Sequence, residues 1–415
     1  MDGDRFKNPP DLLPVSASHL PPMSTPTILQ EPPDLSLVLG GPLFQIFRRA
    51  HLSGPALELL QRRVLSISLF AWLPLAVLTA VEGHLRGGQS LTFVGDIESH
   101  VRFLAALPLL LAAELVVHTR IRPVVKLFVA RRIISAEDMP RFYAAVDSAL
   151  RARNSVWLEL ALLLFVYVAG HLFWQHNVAL GAATWYASPD ATGIHLTVAG
   201  YWYSFVSIPI FQFIFLRWYL RLGIWFLFLW HTSRLKLQLL PAHPDRAGGI
   251  GFLGGISYAF APVLLAQGTL VAGLIASRIF YQQQSLLSFK TTIIMLAGFF
   301  VLMILGPLTI FTPHLVRARL TGLGNYGNFA TAYVSDFDEK WFQGTPKGKL
   351  LGTTDIQSLA DLANSYAVVS DMRMVPFALK DIARLAIVTV LPIVPLLLTI
   401  MPLEELLARA LKFVF

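Results

Sequence analysis

Cysteine is absent from all 415 residues. That excludes disulfides, thiolate metal sites, iron–sulfur clusters and a cysteine nucleophile. Charge is scarce as well. Asp, Glu, Lys and Arg make up 14% of the chain, against about 25% in a soluble domain. Met1 to Gln30 holds no apolar stretch of signal-peptide type, so no cleavable leader is expected. No internal repeat is found. No apolar run carries a charge at its midpoint, which counts against a proton pump or voltage sensor.

What is there is grease. Hydrophobic residues make up 55% of the chain, clumped in runs of the length that crosses about 30 Å of hydrocarbon. The fold class expected is all-α: a polytopic transmembrane helical bundle of about seven spans. They fall at 64–82, 101–118, 156–175, 195–216, 256–277, 289–312 and 383–402. Residues 1–41, with Pro9-Pro10, Pro21-Pro22 and Pro32-Pro33, read as a disordered cytosolic tail. Residues 42–63 read as an interfacial amphipathic helix, with a start at Ser53, Pro55 and Glu58. Residues 403–415 form a C-terminal tail.

The formal charge of +8 does not point to nucleic acid, because the basic residues lie between the apolar runs. With the N-terminus inside, the cytosolic segments hold 26 of the 33 Lys and Arg residues, as the positive-inside bias requires. That bias decides an ambiguous stretch, Leu196 to Leu240. A further span there would turn 313–382 outward. Arg217 to Leu237 is therefore expected to run along, or tilt out of, the inner face. Trp218, Tyr219, Trp225 and Trp230 would form its interfacial belt, and Arg217, Arg221 and Arg234 would meet anionic head groups. Cytosolic segments are expected at 119–155, 217–255 and 313–382. The first has a capping-box-like Ser135-Ala136-Glu137-Asp138 and an apolar face of Phe142, Val146 and Leu150. The last reads as a polar, Gly-rich loop followed by a helix from Asp355 to Arg373, with Leu359, Leu362 and Tyr366 on its apolar face.

Two groups of residues are candidates for function. One is the loop His243-Pro244-Asp245-Arg246-Ala247-Gly248-Gly249-Ile250-Gly251, which runs on to Gly254. Gly249, Gly251 and Gly254 match GxGxxG, but a nucleotide fingerprint needs a strand before it. The structural reading is a tight re-entry turn with Asp245 as a cap. The functional reading is an anion cradle of backbone N–H groups, or the lining of a vestibule. The other candidate is an inner-interface charge cluster of Glu114, Glu159, Arg217 and Arg221, read either as a structural ion pair or as a working site. The Asp336-Phe337-Asp338-Glu339 cluster has the Asp-x-Asp form that can hold Mg²⁺ or Mn²⁺, but it would need a nucleotide fold around it and reads as a solvated turn or helix start. The scattered His84, His100, His171, His176 and His195 match no metal-ligand spacing. No catalytic set, cofactor or metal is expected.

Several phrases together resemble an uncharacterised family of multi-span bacterial inner-membrane proteins. They are Arg217-Trp218 through Leu235, Pro241 to Leu253 (PAHPDRAGGIGFL), Asp355 to Leu362, and Pro376-Phe377. The resemblance covers roughly Val64 to Pro402. It implies a helical fold in the bacterial inner membrane and no particular activity. On the residues alone the first expectation is a channel- or transporter-like bundle. The alternatives are a membrane sensor or scaffold, with a homo-oligomer and a cytosolic protein partner both open, and a lipid-acting enzyme using His243, Asp245 and Asp336 to Glu339 at the inner face. A continuous polar cavity between the spans would favour transport, and a closed apolar bundle would favour the scaffold.

Overall fold

A computed structural model describes residues 34–49, 59–85, 91–178, 184–190, 193–343 and 353–400. The chain divides at Pro32–Pro33 into two units, and the described residues all belong to the second. Residues 1–33, the expected start around Ser53, and residues 403–415 lie outside them.

Lipid offers no partner for backbone N–H and C=O groups, so an apolar run must satisfy them within itself as a helix. Six helical stretches are long and apolar enough to cross a membrane. We label the helices α1 (Pro42–Arg49), α2 (Leu60–Val81), α3 (Ile97–Ala130), α4 (Met139–Asn154), α5 (Val156–Val178), α6 (Val198–Ser233) and α7 (Phe252–Gln282). After them come α8 (Lys290–Leu305), α9 (Thr312–Trp341), α10 (Asp355–Ser370) and α11 (Leu379–Val390). The six are α2, α3, α6, α7, the stretch from Leu286 through α8 and α9, and α11 with the turns after it. Helix α5, with 23 residues, has a length of about 34 Å at 1.5 Å per residue.

Helix α7 is the centre post. Of its most apolar window, 67% is buried, against 17% for α11. Small residues let its neighbours close in. A Cβ on Gly268 would lie 2.0 Å from the carbonyl oxygen of Thr389 on α11. Backbones approach this closely only where one side chain is missing. Two π-helical turns, Val101–Ala106 in α3 and Tyr203–Ser207 in α6, lie side by side, and Arg102 Nη1 donates to Tyr203 Oη at 2.7 Å.

The fold is helical as expected, with one short hairpin in which Ala187–Asp190 (β1) and Gly193–Leu196 (β2) pair antiparallel, Ala187 opposite Leu196. Several other expectations are corrected. Residues 34–41 are not a loose tail, because Leu35, Leu37 and Val38 are at most 2% exposed in the core. Of the helix expected over 42–63, Pro42–Arg49 is described and helical, and Leu60 to Arg63 belong to the first span. Arg217 to Leu237 is no separate surface helix. It continues α6, whose 36 residues reach about 54 Å and so overrun the hydrocarbon. Trp218 and Trp225 are core residues, 0% and 1% exposed, and form no belt; only Trp230 is exposed, beneath the Arg234 guanidinium.

The expected Gly-rich loop after residue 313 is the 30-residue helix α9. Its glycines are contact points. Gly322 is buried, and a Cβ there would lie 2.5 Å from Pro241 Cβ. The helix expected to end at Arg373 ends at Ser370.

Gly268→Ala is expected to cost about 1–3 kcal/mol through overpacking against α11. Gly298→Ala, where a Cβ would meet nothing within 4 Å, should stay within about 0.5 kcal/mol. Thermal unfolding of the two purified variants checks the contrast.

Candidate functional site

Four of the five charges that meet inside the bundle were expected together. Arg217 and Arg221 are four apart on α6, so one helical face carries both guanidiniums. That face turns toward Glu114 on α3. Arg221 Nη2 lies 2.6 Å from Glu114 Oε1, and Arg217 Nη1 lies 3.8 Å from the same oxygen. Arg217 Nη2 lies 2.8 Å from Glu159 Oε1, at the start of α5. The fifth member, Arg63, approaches Glu114 Oε2 at 2.6 Å from the first turn of α2. Sequence reasoning missed it. Arg62-Arg63 at the head of an apolar run reads as a pair reaching for head groups; in the helix Arg62 is exposed and Arg63 is 1% exposed.

None of the five is more than 7% exposed. The expectation that Arg217 and Arg221 meet head groups is therefore overturned: α6 carries them inward onto Glu114 and Glu159. Arg221 also lies 4.6 Å above the Trp218 ring, whose Nε1 donates to the Leu110 carbonyl at 3.1 Å. A charge taken out of water needs a partner of opposite sign. The cluster supplies that need across α2, α3, α5 and α6 at once.

Gly41 and the first turn of α1 close over this cluster. Leu43 N donates to Glu159 Oε2 at 2.8 Å. Gly41, at φ +86°, lies so close that a Cβ would be 3.1 Å from Glu159 Oε1 and 3.5 Å from Arg217 Nη2. Beside Glu159, a cavity of about 550 Å³ opens between α2, α5 and α6, with walls that include Phe70, Leu163 and Phe213.

The glycine loop is built around Asp245. Its carboxylate accepts from Ala247 N at 2.8 Å, Gly249 N at 3.1 Å and Gly251 N at 2.9 Å, and His243 Nδ1 lies 2.9 Å away. Positive φ at Arg246, Gly248 and Gly249 bends the chain round the carboxylate. Burial pushes the Asp245 carboxyl up, but the three N–H groups outweigh it and hold it below the ordinary carboxylate range. The external anion cradle is thereby corrected, because the chain's own carboxylate fills it. No strand precedes the turn, so Gly249, Gly251 and Gly254 form no nucleotide fingerprint.

The loop is a docking knot. Arg131 Nη1 donates to the Gly249 carbonyl at 2.8 Å, and Arg373 Nη2 donates to the Asp245 carbonyl at 2.7 Å. Gly254 N donates to the Pro376 carbonyl at 3.2 Å. The Pro241–Leu253 and Pro376-Phe377 phrases thus meet in space. Asp336, Asp338 and Glu339 lie exposed on the last turns of α9. Among the described residues no group of three or more His, Asp or Glu side chains is placed to hold a metal ion. No family model, no curated protein and no solved structure matches the chain.

Glu114→Gln should cost about 3–5 kcal/mol, because it strands buried guanidiniums, and unfolding of the purified protein measures it. The low carboxyl of Asp245 stabilises the fold fully above about pH 4, the unfolded value. That contribution fades as pH falls through the lower folded value. Asp245→Asn should therefore lower the melting temperature at neutral pH and flatten its decline on the acid side.

Proposed function

We propose that this chain is a seven-span protein of a bacterial inner membrane, N-terminus in the cytosol, that serves as a sensor or scaffold. Its working part in this reading is the hairpin of α9 and α10, offered to a cytosolic protein. One observation carries the proposal. Helix α9 follows the last turn of its span through Gly306–Phe311 and runs on for 30 residues, about 45 Å. It pairs with α10 and leaves Phe329, Val334, Phe342 and Ile356 exposed. The tip is locked: Asp355 accepts from Lys340 Nζ and from Trp341 Nε1, and the lysine holds its carboxyl below the ordinary range.

The packing of the bundle favours this reading over transport. The space between α3 and α6 is filled by Phe103, Leu107, Leu110, Trp218, Trp225 and Phe228, none more than 1% exposed, and the cavity between α2, α5 and α6 is walled almost wholly by apolar side chains. The apolar length of α5 supports the seventh span. Sidedness has support too. Gly95 meets Tyr281 and Asp96 meets Trp185 at one end. Asp138 meets Lys236 and Gly254 meets Pro376 at the other, where most Lys and Arg residues lie. Kinship with the uncharacterised inner-membrane family belongs to the same proposal and rests on the two phrases that meet in the knot.

The cysteine-free chain makes topology simple to test. In intact spheroplasts a membrane-impermeant maleimide should label Gln284→Cys and leave Asn328→Cys untouched; the reverse pattern removes the orientation. For the partner, a photo-crosslinking residue in place of Phe329 or Ile356 should give one protein adduct in cells. The same residue at Met295, on the exposed face of α8, should give none. Equal adducts at all three positions, or none at the hairpin, would remove the scaffold reading.

A further inference from the structure

Helix α5 packs on α6 and on α1, and a gap separates it from α2. That gap is the cavity of about 550 Å³ beside Glu159. Its floor is α6, through Ile210 and Phe213; Ser66 and Phe70 on α2 form one wall, and Leu160 and Leu163 on α5 the other. The floor is half-buried, whereas Phe70 is 52% and Leu160 49% exposed. The gap is therefore a groove that opens sideways. Both walls belong to stretches read as spans, so the opening faces hydrocarbon rather than water.

On α5 the lining runs from Val156 to Tyr167, about 17 Å of helix. One leaflet contributes about 15 Å of hydrocarbon. Dividing the 550 Å³ by that length gives a cross-section of about 30 Å², about 6 Å across, and a helix with its side chains needs about 10 Å. A single hydrocarbon chain fits the groove and a further helix does not. Left empty, the groove would forfeit dispersion contacts along its walls.

The two ends differ. Where the groove stops, Tyr167 Oη donates to the Phe205 carbonyl at 3.3 Å and ties α5 to α6. The opposite end is polar, with Ser66 and Glu159. The Glu159 carboxylate there is already engaged by Arg217 and by the Leu43 N–H. Arg62 is exposed and precedes Ser66 by four residues, so both lie on one face of α2. Its guanidinium stands one turn beyond the polar end.

We propose that the groove holds one acyl chain of an anionic phospholipid, taken from the leaflet on the side of the charge cluster, with the phosphate beside Arg62. A chain entering from that side passes a polar mouth, then apolar walls, and ends at the Tyr167 bond about half-way across the bilayer. The inference deepens the sensor reading by giving the bundle a lipid to respond to. It rests on α5 being a span, and not on the hairpin or on any protein partner.

Phosphatidylglycerol and phosphatidylcholine, each with the same diazirine near the end of one acyl chain, test it in nanodiscs of the full-length protein. Mass spectrometry then assigns the photo-adducts to residues. The phosphatidylglycerol probe should label Ile210 and Phe213 about fivefold more than the other, the preference that one basic residue at a membrane surface confers. Both probes should label Leu164, on the outward face of α5, and Met295, on the open face of α8, equally. Arg62→Gln should bring the probes to parity at the floor. Leu163→Trp, which fills the groove, should remove the floor adducts and keep those at Leu164. The proposal is overturned if the floor takes no adduct while Leu164 does, or if the floor shows no preference. It also fails if either variant leaves the pattern at the floor intact. If Leu164 stays unlabelled as well, the seventh span falls and the groove with it.

Discussion

Glu114 stands where four helices converge, and its two oxygens are divided among three arginines. In a medium that solvates charge poorly, a carboxylate so placed fixes geometry more than it adds stability. It requires α2 to begin low enough for Arg63 to reach it, and it sets the rotation of α6 so that Arg217 and Arg221 face inward. Through Arg217 it reaches Glu159 and so places the first turn of α5. Glu159 in turn receives the Leu43 N–H from the first turn of α1. The greasy faces of these helices would tolerate many rotations, because apolar packing alone discriminates weakly between them in lipid. The polar join singles out one.

How much of this was legible in the sequence follows from which physical effect was at work. Spans are legible because hydrocarbon thickness demands long apolar runs wherever they occur. The shared depth of Glu114, Glu159, Arg217 and Arg221 was legible, since all four lie near the same end of their runs, but the inward turn of the two arginines was not. Arg63 was hidden because only helical phase separates it from its exposed neighbour Arg62. The burial of the segment before α1 was hidden for another reason. Leu35 to Leu39 is too short to show a period, and its burial depends on a slot built by residues far along the chain.

Local composition misled at α9. Glycine, Asn and Thr between residues 321 and 331 carry low helix propensity, and the stretch reads as a loop. Tertiary contact overrides that: Pro241 and Val369 fill the space above Gly322 and make its missing side chain an advantage. The same logic misassigned Trp218 and Trp225. Tryptophan is common at membrane interfaces, but here the overrunning end of α6 is wrapped by α3 and α4, and both rings lie in the core with Phe128, Phe142 and Phe228.

Continuity between α8, the Gly306–Phe311 turns and α9 has a mechanical consequence. A rod anchored in the bilayer at one end is a lever. With about 45 Å of helix beyond the fulcrum, a tilt of about 5° in the buried part sweeps the far tip through about 4 Å. That is close to a side chain's width. Slight changes in lateral pressure or lipid thickness would therefore be magnified at the hairpin, with no hinge needed along the way.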